Sequence, residues 1–282
     1  MTRHLVVEDP GPLTTVQDEG RVGRAAIGVG RSGACDRASY RLANRLVGNP
    51  PGATALEVTF GGLSLRSEDD LVIVTTGAPC PGAPHNGPAR LAAGEVLRLG
   101  APEAGLRTYV AVRGALLVPP VLGSRATDVL GGLGPAPLAP GDRLGVGEDV
   151  GPMPGVDFAA VAGPTSGLVE VTITEGPRRD WFDDEAWRLL LGQQFVVSGE
   201  SNRVGVRLEG EPLARSRDGE LPSEGMLRGA LQIPPSGLPV LFLADHPVTG
   251  GYPVIGYVVD VDVDRCAQLR PGQPLRFRTP AP

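Results

Sequence analysis

The chain has 282 residues, with 41 glycines, 29 prolines and a formal net charge of −6. All 26 of its basic residues are arginine, which excludes a Schiff-base lysine, a Walker-type phosphate lysine and a lysine carrying biotin or lipoate on this chain. The acidic balance argues against general nucleic-acid binding, because phosphate neutralisation needs a basic surface.

Glycine and proline make up about a quarter of the chain, but the glycines show no period and apolar segments occur throughout. This composition is typical of a loop-rich globular β protein with many tight turns. Because aromatic residues are few, we expect a core built mainly from valine, leucine, isoleucine and alanine.

Residue types that bind metals are scattered, and no C-x-x-C pair occurs, so we expect no metal site. These residues are Cys35, Cys80, Cys266, His4, His85 and His246. The segment Met1–Leu13 lacks an apolar core of signal-peptide length, and no apolar run approaches about 18 residues. We therefore expect a soluble cytoplasmic protein with neither a membrane nor a nucleic-acid partner.

The first polar stretch is a glycine-rich loop, Val16–Gly33, which carries Gln17, Asp18 and Arg21. Its segment Gly28–Gly33 matches the dinucleotide pattern G-x-G-x-x-G. The βαβ unit that this pattern requires is missing, so we do not interpret the loop as a dinucleotide site.

The first predicted helix is Asp36–Val47, with Asp36 as N-cap, leucines at helical spacing and a Gly-Asn-Pro stop after it. Cys35 precedes this helix, and the helix dipole would lower the pKa of its thiol, making it a conceivable nucleophile. A small buried thiol is the alternative that we favour, because no histidine lies near it in sequence.

The next segments alternate in the manner of β-strands; they are Ala55–Phe60, Leu71–Thr76, Arg107–Arg113 and Leu116–Val118. A small unit of glycine, polar residue and strand begins at Gly94, at Gly141 and again at Gly272. Repeated corners of this kind favour an antiparallel, barrel-like architecture over a doubly wound sheet.

A proline- and glycine-rich segment, Gly151–Gly167, is the best linker candidate. It predicts two domains, an N-terminal β-rich lobe over 1–155 and a C-terminal barrel lobe over 165–282. In the second lobe we predict a strand at Leu168–Thr174 and a helix at Asp183–Leu191.

The second lobe contains the most informative stretch, Asp245–Gly256. Apolar runs of strand length lie on both sides, at Leu238–Ala244 and Pro253–Val259. The adjacent Gly250 and Gly251 permit a sharp bend that presents N–H groups outward. A plain hairpin loop is the alternative interpretation.

Three polar stretches together suit a small planar substrate with amide or carboxylate character. Arginine binds carboxylates bidentately, asparagine and glutamine complement an amide, and aspartate serves as a base or an orienting group. The alternative, equally supported by the residues alone, is that they are internal polar pairs tying loops to the β scaffold. The residues concerned are Gln17, Asp18, Arg21, Ser201, Asn202, Arg203, Asp245, Thr249, Gly250, Gly251 and Tyr252.

Five segments in one order resemble the biotin-dependent carboxyltransferase family, also called allophanate hydrolase subunit 2 or KipA-like, which includes the C subunit of the prokaryotic 5-oxoprolinase. The resemblance extends from about Leu5 to about Phe277. The segments are Thr14–Gly23, Ala43–Asn49, Leu56–Leu63, Ser201–Leu208 and Thr249–Ile255.

This resemblance implies a mainly β, two-lobed fold of cyclophilin-like β-barrel type with a few short helices. It also implies two partner proteins of a 5-oxoprolinase, one KipI-like and one LamB/YcsF-like. Such an assembly resembles an ATP-dependent 5-oxoprolinase, which opens the lactam of 5-oxoproline to glutamate. The related domain of urea carboxylase instead transfers a carboxyl group from carboxybiotin to urea, and KipA-like regulators bind a kinase inhibitor.

The chain departs from the family in ways that affect these expectations. Val248 stands where the family usually has a threonine, so any role of that hydroxyl is absent. Without lysine the chain carries no biotin, and without a Walker motif ATP is expected on an unrecognised loop or on another subunit.

From the resemblance and the polar set we expect a subunit of an amide-opening complex, with Asp18 or Asp245 as acid or base. The expected substrate-binding residues are Gln17, Arg21, Asn202, Arg203, Thr249, Gly250, Gly251 and Tyr252, with the glycine backbone opposing developing negative charge. The rival functions are a regulator that binds a KipI-like partner and a carboxyltransferase acting on a urea-like amide.

Overall fold

The computed structural model describes residues 2–149, 151–217, 219 and 221–280. They form two compact units. The first contains the residues up to Val22 together with Ser32–Asp128 and Gly132–Pro164. The second contains Gly23–Arg31, Val129–Gly131 and the residues from Thr165 onward. The predicted domain limits, 1–155 and 165–282, stay a prediction.

The described part of the first unit has strands β1 to β9 and helix α1. Their bounds are β1 Arg3–Pro10, β2 Leu13–Gln17, α1 Arg37–Leu46, β3 Ala55–Thr59, β4 Leu63–Ser67, β5 Leu71–Gly77, β6 Ala89–Leu91, β7 Val96–Arg98, β8 Arg107–Val112 and β9 Arg143–Val146.

The strands of the first unit form two sheets, in the orders β7-β4-β1-β9 and β2-β3-β8-β5-β6. In β4 the buried residues alternate with half-buried ones, as expected for a strand with one face on the core. β8 is buried at every position because it lies between β3 and β5 and both its faces are covered. The main core consists of aliphatic side chains, including Leu5, Leu56, Leu63 and Ile73.

Helix α1 begins where the sequence predicts. The Asp36 carboxylate accepts a hydrogen bond from the Ser39 N–H at 2.9 Å, and Gly48 follows the helix with a φ of +69°. The helix packs against β5 and β8 through a buried face that includes Tyr40 and Ala43. Cys35, which precedes the helix in sequence, is fully buried. This agrees with the interpretation that we favoured, a small buried thiol.

The described part of the second unit has strands β10 to β18 and two α-helices. Their bounds are β10 Val169–Glu175, α2 Asp184–Gly192, β11 Phe195–Val197, β12 Gly205–Glu209, β13 Glu224–Gly225, β14 Ala230–Gln232, β15 Val240–Phe242, β16 Thr249–Gly250, β17 Val254–Val258, α3 Asp260–Cys266 and β18 Pro274–Arg278.

Seven of these strands close into a barrel in the order β10-β17-β14-β15-β12-β11-β18, and β10 joins β18 in parallel. The prediction of a mainly β fold with a barrel is confirmed. β15 and β17 both pair with β14 and so are not neighbours. The stretch Asp245–Gly256 is therefore a connection across β14, and the plain hairpin loop is wrong.

The three predicted corners have the same structure. Gly94, Gly141 and Gly272 all have φ between +81° and +88°, the left-handed region that favours glycine. In each corner the next residue donates its N–H to the carbonyl three positions earlier, and its side chain accepts the N–H of that same earlier residue. The side chain thus closes each corner before β7, β9 and β18.

Two local predictions differ from the structure. Leu116–Val118 is not a strand, since only Leu116 forms a bridge, to Val146. α3 was not predicted, because its Asp-Val-Asp-Val-Asp sequence alternates like a strand. Its Asp262 carboxylate accepts the Thr172 N–H at 2.7 Å, so a tertiary contact with β10 stabilises the helix. No helix in the described part of the chain is long and apolar enough to cross a membrane.

Candidate functional site

In the first unit, Asp18 directly follows β2 and ties two segments of chain together. Its Oδ1 accepts from the Gly20 N–H at 2.8 Å and from the Ser124 hydroxyl at 2.6 Å. Its Oδ2 accepts from the Arg125 N–H at 2.6 Å. The carboxylate is buried, and the two bonds from Ser124 and Arg125 fix segment 124–125 against the end of β2.

Arg21 lies beside the same segment and is fully buried. Its Nε donates to the Val121 carbonyl at 3.2 Å and its Nη2 to the Ala126 carbonyl at 2.6 Å. A guanidinium presents five N–H donors in a fixed plane. Its Nη1 is buried and has no hydrogen-bond partner within the described residues.

Gln17 carries the complementary unpartnered atom. Its Nε2 donates to the Thr15 hydroxyl and to the Thr127 carbonyl, each at 3.0 Å, while its Oε1 is buried without a partner among the described residues. An unsatisfied buried polar atom costs about 1–3 kcal/mol, so each one calls for a partner such as a water molecule, an ion or a ligand. The two side chains thus offer one donor and one acceptor, the kinds of group that an amide oxygen and an amide N–H each require.

In the second unit, Arg203 and Asp245 form a bidentate ion pair. Nε and Nη2 of Arg203 lie 2.9 and 3.0 Å from the two carboxylate oxygens, and both side chains are buried. The Asp245 Oδ2 also accepts the Val129 N–H at 3.1 Å. This pair therefore anchors segment 129–131 to the barrel, although the segment lies far before the barrel in the sequence.

The other predicted residues of the second unit have different surroundings. Asn202 is exposed, and its Oδ1 closes its own turn by accepting the Val204 N–H at 2.8 Å. Thr249 is exposed and belongs to β16, which pairs with β13. Tyr252 is 46% exposed, and the guanidinium of Arg215 lies 5.8 Å from its ring centroid.

The reason for glycine at position 250 differs from the predicted one. Neither Gly250 nor Gly251 has a positive φ. A Cβ on Gly250 would lie 2.8 Å from the Gln232 Nε2, whereas one on Gly251 would come no closer than 3.5 Å to the Leu221 carbonyl. The glycine at 250 therefore provides space for a neighbouring side chain and not a special backbone angle.

Some side chains around β16 did not stand out in the sequence. Glu224 on β13 is paired bidentately with Arg178, and this hydrogen bond holds the pKa of Glu224 below its usual value. Burial, with the nearby Glu224 charge, raises the pKa of Tyr257. Gln232 on β14 donates to the Tyr252 carbonyl at 3.1 Å. These pairs join distant parts of the chain, so no local sequence pattern marks them.

The structure thus brings the predicted residues together in two groups, one in each unit. Gln17, Asp18 and Arg21 share the segment 121–127 as their partner. Arg203 and Asp245 contact each other directly. Within the described residues no group of three or more histidine, cysteine, aspartate or glutamate side chains is arranged to hold a metal ion.

The family model described as carboxyltransferase domain, subdomain A and B, matches residues 27–279. The C subunit of the 5-oxoprolinase of Escherichia coli K12 is 38% identical over 278 residues, which are 95% of this chain and 88% of that protein.

Two solved structures are also similar. The protein TTHA0988 is 37% identical with a TM-score of 0.88, over 98% of this chain and 56% of that one. The urea carboxylase of Kluyveromyces lactis is 30% identical with a TM-score of 0.90, over 99% of this chain and 27% of that one. The chain thus spans little more than half of the first of these and about a quarter of the second.

Proposed function

Since the chain belongs to the carboxyltransferase family of subdomains A and B, we propose that it is one component of an ATP-dependent 5-oxoprolinase. This complex would open the lactam of 5-oxoproline to glutamate. The observation that carries the proposal is the 38% identity to the C subunit of the 5-oxoprolinase of Escherichia coli, which extends over 95% of this chain.

The polar group of the first unit supports a cyclic amide as substrate. The unpartnered Nη1 of Arg21 suits the lactam oxygen, and the unpartnered Oε1 of Gln17 suits the lactam N–H. Asp18 would then act by holding segment 124–125 beside these two side chains. A role for Asp18 or Asp245 as acid or base stays a prediction.

Opening the lactam of 5-oxoproline requires a source of energy, for which we propose ATP. An unactivated lactam resists hydrolysis, so coupling to ATP through phosphorylation of the amide oxygen is chemically sensible. The glycine-rich segment 28–33 does not join a strand directly to a helix, because β2 ends at Gln17 and α1 begins at Arg37. The proposal therefore places ATP on a partner protein or on a loop of this chain without a known phosphate-binding pattern.

The partners that we propose are a KipI-like protein and a LamB/YcsF-like protein. The relative in Escherichia coli is named as one lettered subunit of its 5-oxoprolinase, which supports a complex of several chains. The test is to co-purify this chain with both proteins of the same genome and to measure ATP hydrolysis with and without 5-oxoproline. Hydrolysis that requires both 5-oxoproline and this chain supports the proposal.

A carboxyltransferase acting on a urea-like amide is the second candidate. Its support is the similarity to the urea carboxylase of Kluyveromyces lactis, with a TM-score of 0.90. This function needs a separate biotinylated carrier, because the chain has no lysine. Carboxylation of urea with such a carrier would favour it, and a stable complex with no turnover on either substrate would favour the KipA-like regulatory role.

A further inference from the structure

The first unit contains a groove that is lined by neither Gln17 nor Arg21. Its volume is about 530 Å³, and its walls are formed by segments 50–54 and 115–119. These segments contribute proline, leucine, valine, alanine and threonine side chains, and among the described residues Arg125 is the one charged residue that lines the groove. A mostly apolar groove with one arginine in its lining has the composition expected for a ligand with an apolar body and one anionic group.

Buried side chains hold the first wall of the groove in place. The carbonyl of Ala53 accepts from the Tyr40 hydroxyl at 2.6 Å and from the Asn44 amide at 3.0 Å. The Thr54 hydroxyl donates to the Leu116 carbonyl at 2.5 Å and so joins the two walls. The groove is therefore preorganised by helix α1 and does not depend on a loose surface loop.

The second wall is held in a similar way. Asn49 donates to the Val112 carbonyl at 2.9 Å and accepts the Gly114 N–H at 2.9 Å. These bonds fix the turn at Gly114 and Ala115, from which the wall 115–119 continues. A ligand that binds between the walls thus meets surfaces whose positions are already set.

Arg125 is fixed in orientation at both ends. Its N–H donates to the Asp18 carboxylate at 2.6 Å, and its Nε donates to the carbonyl of Val118, a wall residue, at 2.7 Å. Among the described residues no carboxylate forms an ion pair with it. The two terminal nitrogens of a half-buried guanidinium therefore remain available, and this edge matches the two oxygens of a carboxylate.

We propose that this groove binds a small organic carboxylate, with the carboxylate on the terminal nitrogens of Arg125 and an apolar body between the two walls. Asp18 is the positioning residue of this site, because its carboxylate holds the backbone of Arg125. The choice of 5-oxoproline as the first probe rests on the proposed function, since that molecule combines a carboxylate with a compact ring.

The test is calorimetric titration of the full chain with three ring compounds of similar size. 5-Oxoproline has the carboxylate and the lactam, cyclopentanecarboxylate has the carboxylate alone, and 2-pyrrolidinone has the lactam alone. We expect the two carboxylates to bind and 2-pyrrolidinone to bind at least about tenfold more weakly, since charge-assisted hydrogen bonds to arginine are lost.

Arg125→Gln should weaken both carboxylates at least about tenfold, while Arg90→Gln, a change at an exposed arginine, should leave their affinities unchanged. The Arg125 N–H bond to Asp18 belongs to the main chain, so the variant keeps it; its thermal unfolding temperature checks the fold. Equal binding of all three compounds, no binding of either carboxylate, or full affinity in Arg125→Gln would overturn the proposal.

The same variant separates this site from the proposed function. If the assembled complex turns over 5-oxoproline but Arg125→Gln binds the two carboxylates with full affinity, the groove proposal is wrong although the function stands. If the chain binds carboxylates through Arg125 but the complex shows no turnover, the groove stands and the 5-oxoprolinase function is wrong.

Discussion

The guanidinium of Arg203 faces the carboxylate of Asp245 across two hydrogen bonds of 2.9 and 3.0 Å, and both side chains are buried. Every N–H···O contact of the pair is charge-assisted, and Asp245 also accepts a backbone N–H from Val129. The pair is thus a structural element of the second unit, whatever else it does. A substitution at Arg203 is therefore expected to change the stability of the protein.

We expect Arg203→Ala to lower the free energy of unfolding by about 3–5 kcal/mol, because it leaves the Asp245 charge buried without its partner. From sequence alone, the enzyme hypothesis predicts loss of turnover with folding intact. Urea unfolding of the variant measures the difference. Arg207→Ala, at an exposed position of the same strand β12, is the control; equal unfolding free energies for the two variants would contradict this expectation.

Tyr109 provides a second test, in the core of the first unit. Its hydroxyl donates to the Glu57 carboxylate at 2.7 Å and accepts the Asp36 N–H at 2.7 Å. Tyr109→Phe should cost about 1–3 kcal/mol of unfolding free energy, because it removes a partner from two buried polar groups. Tyr257→Phe, at a half-buried position, should cost much less in the same denaturation experiment; similar losses would count against the account.

His85 predicts a pH dependence. Burial lowers the pKa of its imidazole below the ordinary value of 6.5, because the charged form is poorly solvated there. Between the lowered pKa and about 6.5 the unfolded chain binds more protons, so stability should fall as the pH falls through this window. NMR titration of the ring proton measures the pKa directly. His85→Gln should show a shallower loss of stability with acid, and a pKa at or above 6.5 would refute the prediction.

Gly250 and Gly251 give a matched pair of substitutions. Gly250→Ala should displace the Gln232 side chain and weaken its 3.1 Å hydrogen bond to the Tyr252 carbonyl, because the new Cβ would lie 2.8 Å from the Gln232 Nε2. Gly251→Ala should be tolerated, since its nearest neighbour is 3.5 Å away. Thermal unfolding compares them, and the reverse order of stability would contradict the packing explanation.

Local signals in the sequence predicted local structure well. Asp36 caps α1 as predicted, and the helix predicted over Asp183–Leu191 is α2, with Asp183 as its N-cap. The glycine corners at Gly94, Gly141 and Gly272 were also predicted, because left-handed φ angles favour glycine. In these cases the information lies within a few neighbouring residues.

Structure that depends on tertiary partners was not predicted. α3 has an alternating sequence but is held as a helix by the Thr172 N–H bond to Asp262. Internal polar pairing was one of the two interpretations that the sequence supported, but it did not identify Arg203 and Asp245, 42 positions apart, as the pair. Arg125 was missed altogether, because only the fold places it in the groove. The sequence therefore identified polar residues better than it identified their contacts.

The most direct test of the account is whether 5-oxoproline is converted by the complex that contains this chain. Glutamate and ADP should be measured together in the co-purified assembly, with the chain present and with it omitted. The proposed function predicts that glutamate and ADP form in equal amounts and that both disappear without the chain. ADP released without glutamate, or equal glutamate when the chain is absent, would contradict it.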